Sequence, residues 1–452
     1  MTRSSPRAKV DAPRLAAYDV LVAVREDDAY ANLVLPRLLR ERAITGRDAA
    51  FTTELVGGTL RGQGTYDALL DHLTGRPPDP AVRDALRLGA HQLLAMRVPD
   101  HAAVASTVEL VRTRVGHKPA GFTNAVLRRL STRSLEAWLD ELDAPLDVRT
   151  SHPSWIVVEL ARALGRPEEL EALLTADNER PAVTLVARPG LASVEELLGT
   201  VAGGTPLATS PLAVAMDGGD PGEVPAVRDG RAGVQDAGSQ LVGLALARAE
   251  VAGRDERWLD LCAGPGGKAA LLAALADRRG ARLLAHERLP HRALLVRQAL
   301  RATTGDVVVG DGTRPAWAEG SFDRVLVDAP CSGLGALRRR PESRWRRQPS
   351  DLDALVPLQR ALLDAALDSV RPGGVVVYAT CSPVVQETAG VVSEVLADRS
   401  DVRLEEAAPL LPEVSDAASA HLPGAVQLWP HRHGTDAMFL AVLRRREPDQ
   451  PT

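Results

Sequence analysis

Two of the chain's three cysteines stand where thiol chemistry can be done. Cys331, in "VLVDAPCSGLG", and Cys381, in "VVYATCSPVVQET", each end an apolar strand-like run, and each is followed directly by serine. A thiol at such a place can attack an electrophilic carbon or take part in proton transfer once its surroundings favour the thiolate. A single free cysteine is more commonly a small buried hydrophobe. Cys262, inside a glycine-rich turn, reads that way. The spacings, 69 and 50 residues, suit neither a disulfide framework nor a zinc site. "PHRHG" supplies His431 and His433 but no third ligand, so no metal is assigned.

A second set of residues points to a nucleoside. "LDLCAGPGGKAALLAALA" reads as strand, turn and helix. Gly264, Gly266 and Gly267 let backbone approach a ligand, and the helix start offers free N–H groups. With Cys262, Ala263, Pro265 and Lys268 they form a candidate cofactor loop. Glu287 ends the second strand, twenty residues after Gly267, where an acid binds ribose hydroxyls in doubly wound folds. Asp311 and Asp328 end the next two strands. Ligands of open α/β sheets bind at that carboxyl edge. "GPGGKAA" is neither a P-loop nor the dinucleotide pattern. A mononucleoside without pyrophosphate fits better, and S-adenosylmethionine is the candidate.

These groups need a sheet to hold them, and the texture of the chain supplies one. Residues 13–145 read as helices throughout, with breaks such as "TGRPPDP". Residues 146–234 read as a small α+β connecting subdomain. Residues 235–446 alternate strand and helix, which predicts a mainly parallel sheet with right-handed crossovers. The ends, 1–12 and 447–452, read as disordered tails. The expected architecture is multidomain: all-α, then α+β, then a Rossmann-like α/β domain.

Hydrophobic residues at 45% and charged residues at 25% describe an ordinary globular chain. No apolar run reaches the ~18 residues of a membrane span, and no secretory leader is evident, so a cytoplasmic protein is expected. The net charge is -5, yet the basic residues cluster. His101 to Ser134 holds six Lys/Arg against one acid, among them Lys118, Arg128 and Arg129. "ALRRRPESRWRR", from Ala336, holds six Arg against one Glu. Its Arg338, Arg339, Arg340, Arg344 and Arg346 could hold phosphates, and Trp345 could stack on a base.

"DLCAGPGGK", "VDAPCSGLGALRRRPESRW" and "YATCSP" together resemble the motifs of the RNA cytosine-5 methyltransferases of the Nop/Sun group. "KPAGFTNAVLRRL" resembles the NusB-like helical domain that precedes the catalytic domain in the bacterial Sun (RsmB) subgroup. Gly264 stands where that family usually has alanine, and Glu287 where it usually has aspartate. The resemblance implies methylation of C5 of a cytosine in ribosomal RNA, most simply 16S rRNA in a protein-poor form, by a monomer using S-adenosylmethionine. It implies Cys381 as the nucleophile and Cys331 for product release. The related DNA enzymes attack with the Pro-Cys cysteine instead, so position alone leaves the choice open. Asp328 is expected at N3 of the base, and Lys268 beside a neighbouring carboxylate or active-site loop.

Overall fold

The computed structural model describes residues 11–447; the expected tails fall almost wholly outside that range. The chain divides into two compact units. The first runs to Val157 and adds Leu174–Arg180 and Leu337–Arg346; the second takes the rest. The stretch 146–234, expected as a subdomain of its own, is thus shared between them.

The first unit is helical. Its main helices are Ala12–Glu26, Ala31–Glu41, Gly46–Arg61, Gln63–Thr74, Pro80–Leu94, Asp100–Arg114, Ala120–Leu130 and Leu135–Glu141. The breaks follow capping chemistry. Gly75, at φ +68°, closes one helix, and Asp79 caps the next by accepting from Ala81 N, with Pro80 in the first turn. Leu55, Leu69, Leu70, Leu86, Leu88 and Leu127 are wholly buried at its centre. Among the described residues no helix is long and apolar enough to cross a membrane.

The second unit carries two sheets. A small antiparallel sheet holds β1 (Val183–Ala187), β2 (Thr205–Pro206), β3 (Ala213–Met216) and β4 (Ala232–Val234), in the order β2-β3-β1-β4. The large sheet holds β5 (Arg257–Asp260), β6 (Arg282–Glu287), β7 (Asp306–Val309), β8 (Phe322–Asp328), β9 (Val370–Thr380), β10 (Val402–Glu405), β11 (Val426–Gln427) and β12 (Phe439–Arg445). Its order is β10-β12-β9-β8-β5-β6-β7, with β11 on β12. Neighbours from β7 to β9 are parallel, and β12 is antiparallel to β9.

The alternation of side chains splits its core into two layers. Leu326, Val375, Val377, Leu440 and Val442 face one, and Val325, Val327, Val376, Tyr378, Phe439 and Ala441 the other. Covered on both faces, β8 and β9 are near-continuous apolar runs. One helix, Ala237–Arg248, stands where the sequence suggested only the approach to the first strand. It is buried on all sides, so it lacks the amphipathic period that announces a helix. Asp236 caps it by accepting from Gly238 N.

Candidate active site

Strand order reverses between β5 and β8, because the chain runs outward to β7 on one side and β9 on the other. The carboxyl ends at that reversal form a crevice. The turn from β5 to the helix Gly267–Asp277 lies there. Gly266 sits at φ +113°, and a Cβ on it would lie 2.6 Å from Ala299 Cβ. A Cβ on Gly264 would meet Glu287 Oε2 at 2.0 Å. The two departures from the family pattern therefore compensate. The longer acid at 287 fills the space that an alanine at 264 would take. Glu287 is buried; its Oε1 accepts from Leu289 N at 2.9 Å, and Arg292 Nη2 donates to the Gly264 carbonyl at 2.6 Å.

Asp260, which the sequence reading passed over, ends β5 fully buried. Its Oδ1 accepts from Cys262 N at 3.3 Å, and its Oδ2 has no partner. Burial, and then the charge of Asp328, push its carboxyl up to about 8. Burial likewise raises the Cys262 thiol well above its ordinary value, as suits an inert packed group. A glycine turn with open space above Gly267, a buried acid with a spare oxygen and Glu287 on the next strand fit a small nucleoside cofactor. Asp311 is exposed beyond β7, where Thr313 N and Oγ1 hold its Oδ1 at 3.0 and 2.8 Å. Those two donors pull its carboxyl below the usual range.

The register of β8 on β9 brings the reactive groups together. Asp328 pairs with Ala379, so Cys331 and Cys381 leave adjacent strands within a few residues of the same level. Their sulfurs lie 3.5 Å apart, and both are partly exposed. Lys268 Nζ donates to Asp328 Oδ2 at 2.8 Å. Cys331 donating its S–H to the Cys381 sulfur lowers the Cys381 thiol, against burial and Asp328 and with help from Lys268; the same contact and burial raise Cys331. Burial pushes the Lys268 ammonium down, but Asp328 and Cys381 outweigh it and leave it raised. Both directions favour a thiolate on Cys381 over one on Cys331.

Gly335 closes the floor. Its N–H donates to the Cys381 carbonyl at 2.8 Å, and its carbonyl accepts from Ala437 N at 2.8 Å. A Cβ there would meet Ala437 O at 2.1 Å, so only glycine fits.

The arginine run after Cys331 departs from expectation. Arg344 is wholly buried in the first unit. Nη1 donates to the carbonyls of Arg61 and Ser151 and to Asn178 Oδ1, and Nη2 to the Asp177 carbonyl. Burial pushes its guanidinium down to about 10. Arg346 pairs with Asp28 and donates to the carbonyls of Val24 and Ala29. Trp345 is half-buried against Gly64, and Arg338 is buried. Arg344 and Arg346 thus direct donors to the protein's own backbone, and Arg338 is buried, where the sequence predicts groups open to phosphate. Arg340 is exposed, its guanidinium 5.1 Å from the Tyr30 ring, and Arg339 is half-exposed. In the helical unit Lys118, Arg128 and Arg129 are all exposed. His431 contacts Glu169 at 2.8 Å, and His433 accepts from Trp429 N at 2.9 Å.

The reversal point, the glycine turn and the acid ending β6 define a doubly wound α/β domain with a nucleoside site, and its similarity to known proteins makes it an S-adenosylmethionine-dependent methyltransferase. Comparison with known proteins gives the family. Residues 250–444 match "16S rRNA methyltransferase RsmB/F", and residues 11–132 match the NusB family. A Mycobacterium tuberculosis protein named as a methyltransferase, Rv1407, is 52% identical over 98% of this chain and 99% of its own length. Ribosomal RNA small subunit methyltransferase B of Escherichia fergusonii is 34% identical over 96% of this chain and 98% of its own. The crystal structure of PH0851 superposes with a TM-score of 0.78 at 22% identity, covering 97% of this chain and 100% of that one. NSun6 from Pyrococcus horikoshii with SFG gives 0.54 at 18% identity, over 65% and 98%. The chain belongs to the RsmB/F family of 16S rRNA methyltransferases.

Proposed function

We propose that this enzyme methylates C5 of a cytosine in small-subunit ribosomal RNA through a covalent bond between Cys381 Sγ and C6 of the base. The observation that carries the reading is the Cys331–Cys381 pair, 3.5 Å between sulfurs, at the carboxyl ends of β8 and β9. Addition of the Cys381 thiolate to C6 places electron density on C5. Asp328, held by Lys268 before the base arrives, faces the base and donates to its N3 as a protonated carboxyl, a form that burial by the base favours. When bound in the Gly264–Lys268 turn with Glu287, S-adenosylmethionine supplies an electrophilic methyl group on a sulfonium for C5. Loss of the C5 proton to water and expulsion of the Cys381 thiolate then restore aromaticity, with the Cys331 S–H donating to the departing sulfur. The target base must leave its stack, so a loop or melted strand in protein-poor RNA suits the site. Lys118, Arg128 and Arg129 are the proposed phosphate contacts of the helical unit, with Arg339 and Arg340 from the arginine run.

The test separates the two thiols. Cys331→Ala accumulates a denaturation-resistant protein–RNA adduct, whereas Cys381→Ala forms neither adduct nor product. The reverse pattern would hand the attack to Cys331. Mapping of 5-methylcytosine in rRNA with and without the gene identifies the nucleotide.

A further inference from the structure

The serines that follow the two cysteines converge on one buried acid. Glu387, in the short turn after Cys381, is wholly inaccessible to solvent. Its Oε2 accepts from Ser332 Oγ at 2.5 Å and from Ser382 Oγ at 2.6 Å. The two serine oxygens are themselves 3.0 Å apart. Its Oε1 accepts from Ser332 N at 2.7 Å and from Gln359 Nε2 at 2.9 Å, and Gln359 Nε2 also donates to the Pro330 carbonyl at 2.9 Å. The Glu387 carbonyl accepts from Tyr378 OH at 2.7 Å, and Val384 N donates back to Ser382 Oγ at 3.2 Å.

A buried carboxylate is costly unless its lone pairs are filled, and here four donors fill them. Three of those donors belong to the two serines, each one residue beyond a cysteine. The arrangement therefore ties two loops from different strands at their roots, directly behind the pair of sulfurs. Fixing both roots fixes the gap between the thiols, and that gap decides whether one S–H reaches the other sulfur. Hydrogen bonding of this kind falls away within a few tenths of an ångström beyond its ordinary range.

We infer that Glu387, acting through Ser332 and Ser382, is a positioning residue for methyl transfer: it holds Cys331 at the distance from Cys381 at which it can donate to the attacking thiolate. This rests on the reading of Cys381 as the nucleophile. Glu387 touches neither base nor cofactor in this scheme. It explains why both cysteines precede serine, a feature that neither thiol needs for its own reaction. It also predicts which replacement is tolerated. Glutamine can keep its oxygen toward Ser332 N and Gln359 and turn its amide toward the serine oxygens, which then accept. Alanine removes the tie.

The experiment compares Ser332→Ala/Ser382→Ala, Glu387→Ala and Glu387→Gln with the wild type. Peptide-resolved iodoacetamide alkylation against pH reads the Cys381 thiol without RNA. Methyl transfer to a small-subunit rRNA transcript gives kcat and KM. The serine double variant and Glu387→Ala are expected to alkylate Cys381 with a midpoint moved to higher pH. Their kcat should fall by about 100-fold, the scale of a small misplacement of a reacting group, with KM for RNA within about twofold. The serine variant should melt lower, because it leaves Glu387 Oε2 buried without a donor, but below that temperature it should keep S-adenosylmethionine binding, and Glu387→Gln should keep the wild-type midpoint. A wild-type midpoint in the double variant, or loss of kcat only together with loss of fold and cofactor binding, overturns the inference. The alkylation arm decides the tie even where Cys331→Ala accumulates no RNA adduct; that missing adduct would count against Cys381 as nucleophile instead.

Discussion

Two basic stretches of the chain have the same count of charges and opposite surroundings. His101–Ser134 and Ala336–Arg347 each carry six basic residues and one acid. In the first, Val126, Leu127 and Leu130 of the helix Ala120–Leu130 turn inward, which leaves Arg128 and Arg129 outward beside the exposed Phe122. In the second, Pro341 interrupts the run, and only a one-turn helix, Ser343–Arg346, forms. Backbone carbonyls with no helical partner are plentiful around such a turn, and Arg344 and Arg346 satisfy several of them. An arginine among regular apolar spacing is a surface group. An arginine in an irregular segment is a candidate cross-link, because its five donors can saturate loose acceptors.

The contrast can be broken most forcefully at Arg344. Arg344→Ala leaves four acceptors without this donor, two of them in buried contacts, and a loss of about 3–5 kcal/mol in denaturant unfolding of the helical unit is expected. Arg344→Lys should recover only part of it, because an ammonium cannot span the same fork. The catalytic unit offers the opposite case of a buried charge, Asp260, with one oxygen unpartnered. Its folded value, about 8, lies above its unfolded one, so folding takes up a proton between about pH 4 and 8 and stability falls as pH rises through that window. Asp260→Asn should therefore stabilise the cofactor-free protein at pH 9, on the order of a few kcal/mol, and change little at pH 4. Equal melting temperatures at pH 9 would show that the acid is ionised there without penalty. Next comes Lys118→Ala/Arg128→Ala/Arg129→Ala, which should keep its melting temperature. Its RNA affinity should drop, and the slope of log affinity against log salt should shrink by roughly 2–3, the share of three phosphate contacts. An unchanged slope removes these residues from the RNA surface. Arg340→Ala is the smallest change, within about 1 kcal/mol, because an exposed cation over Tyr30 contributes little.

The parts of the fold that alternate or recur were legible in the sequence. The strands β5 to β9 and the acids that end β6 and β8 follow from apolar runs punctuated by glycine and aspartate. The cofactor turn and the two thiols were visible because each stands at such a punctuation. What escaped was burial that leaves no period. The helix Ala237–Arg248 is apolar on every side. Asp260 is hidden because the burial of its side chain at the strand end leaves no mark in the local pattern. Glu387 sits in "VVQET", five residues from its serine partner in one loop and fifty-five from that in the other. Only the β8–β9 register makes those neighbours. The compensation between Gly264 and Glu287 was present as two separate oddities, and only the 2.0 Å approach joins them.

The place of β12 has a consequence for the order in which the enzyme can be born. Residues 439–445 lie between β9 and β10 in the sheet, antiparallel to both. Until that segment has left the ribosome, β9 presents a long apolar edge with its backbone unpaired, and such an edge invites pairing with other chains. The strand that delivers Cys381 is thus completed by a segment translated well after it. The helical unit waits for the segment that ends at Arg346, whereas the thiols reach their working positions only after synthesis has passed Arg445.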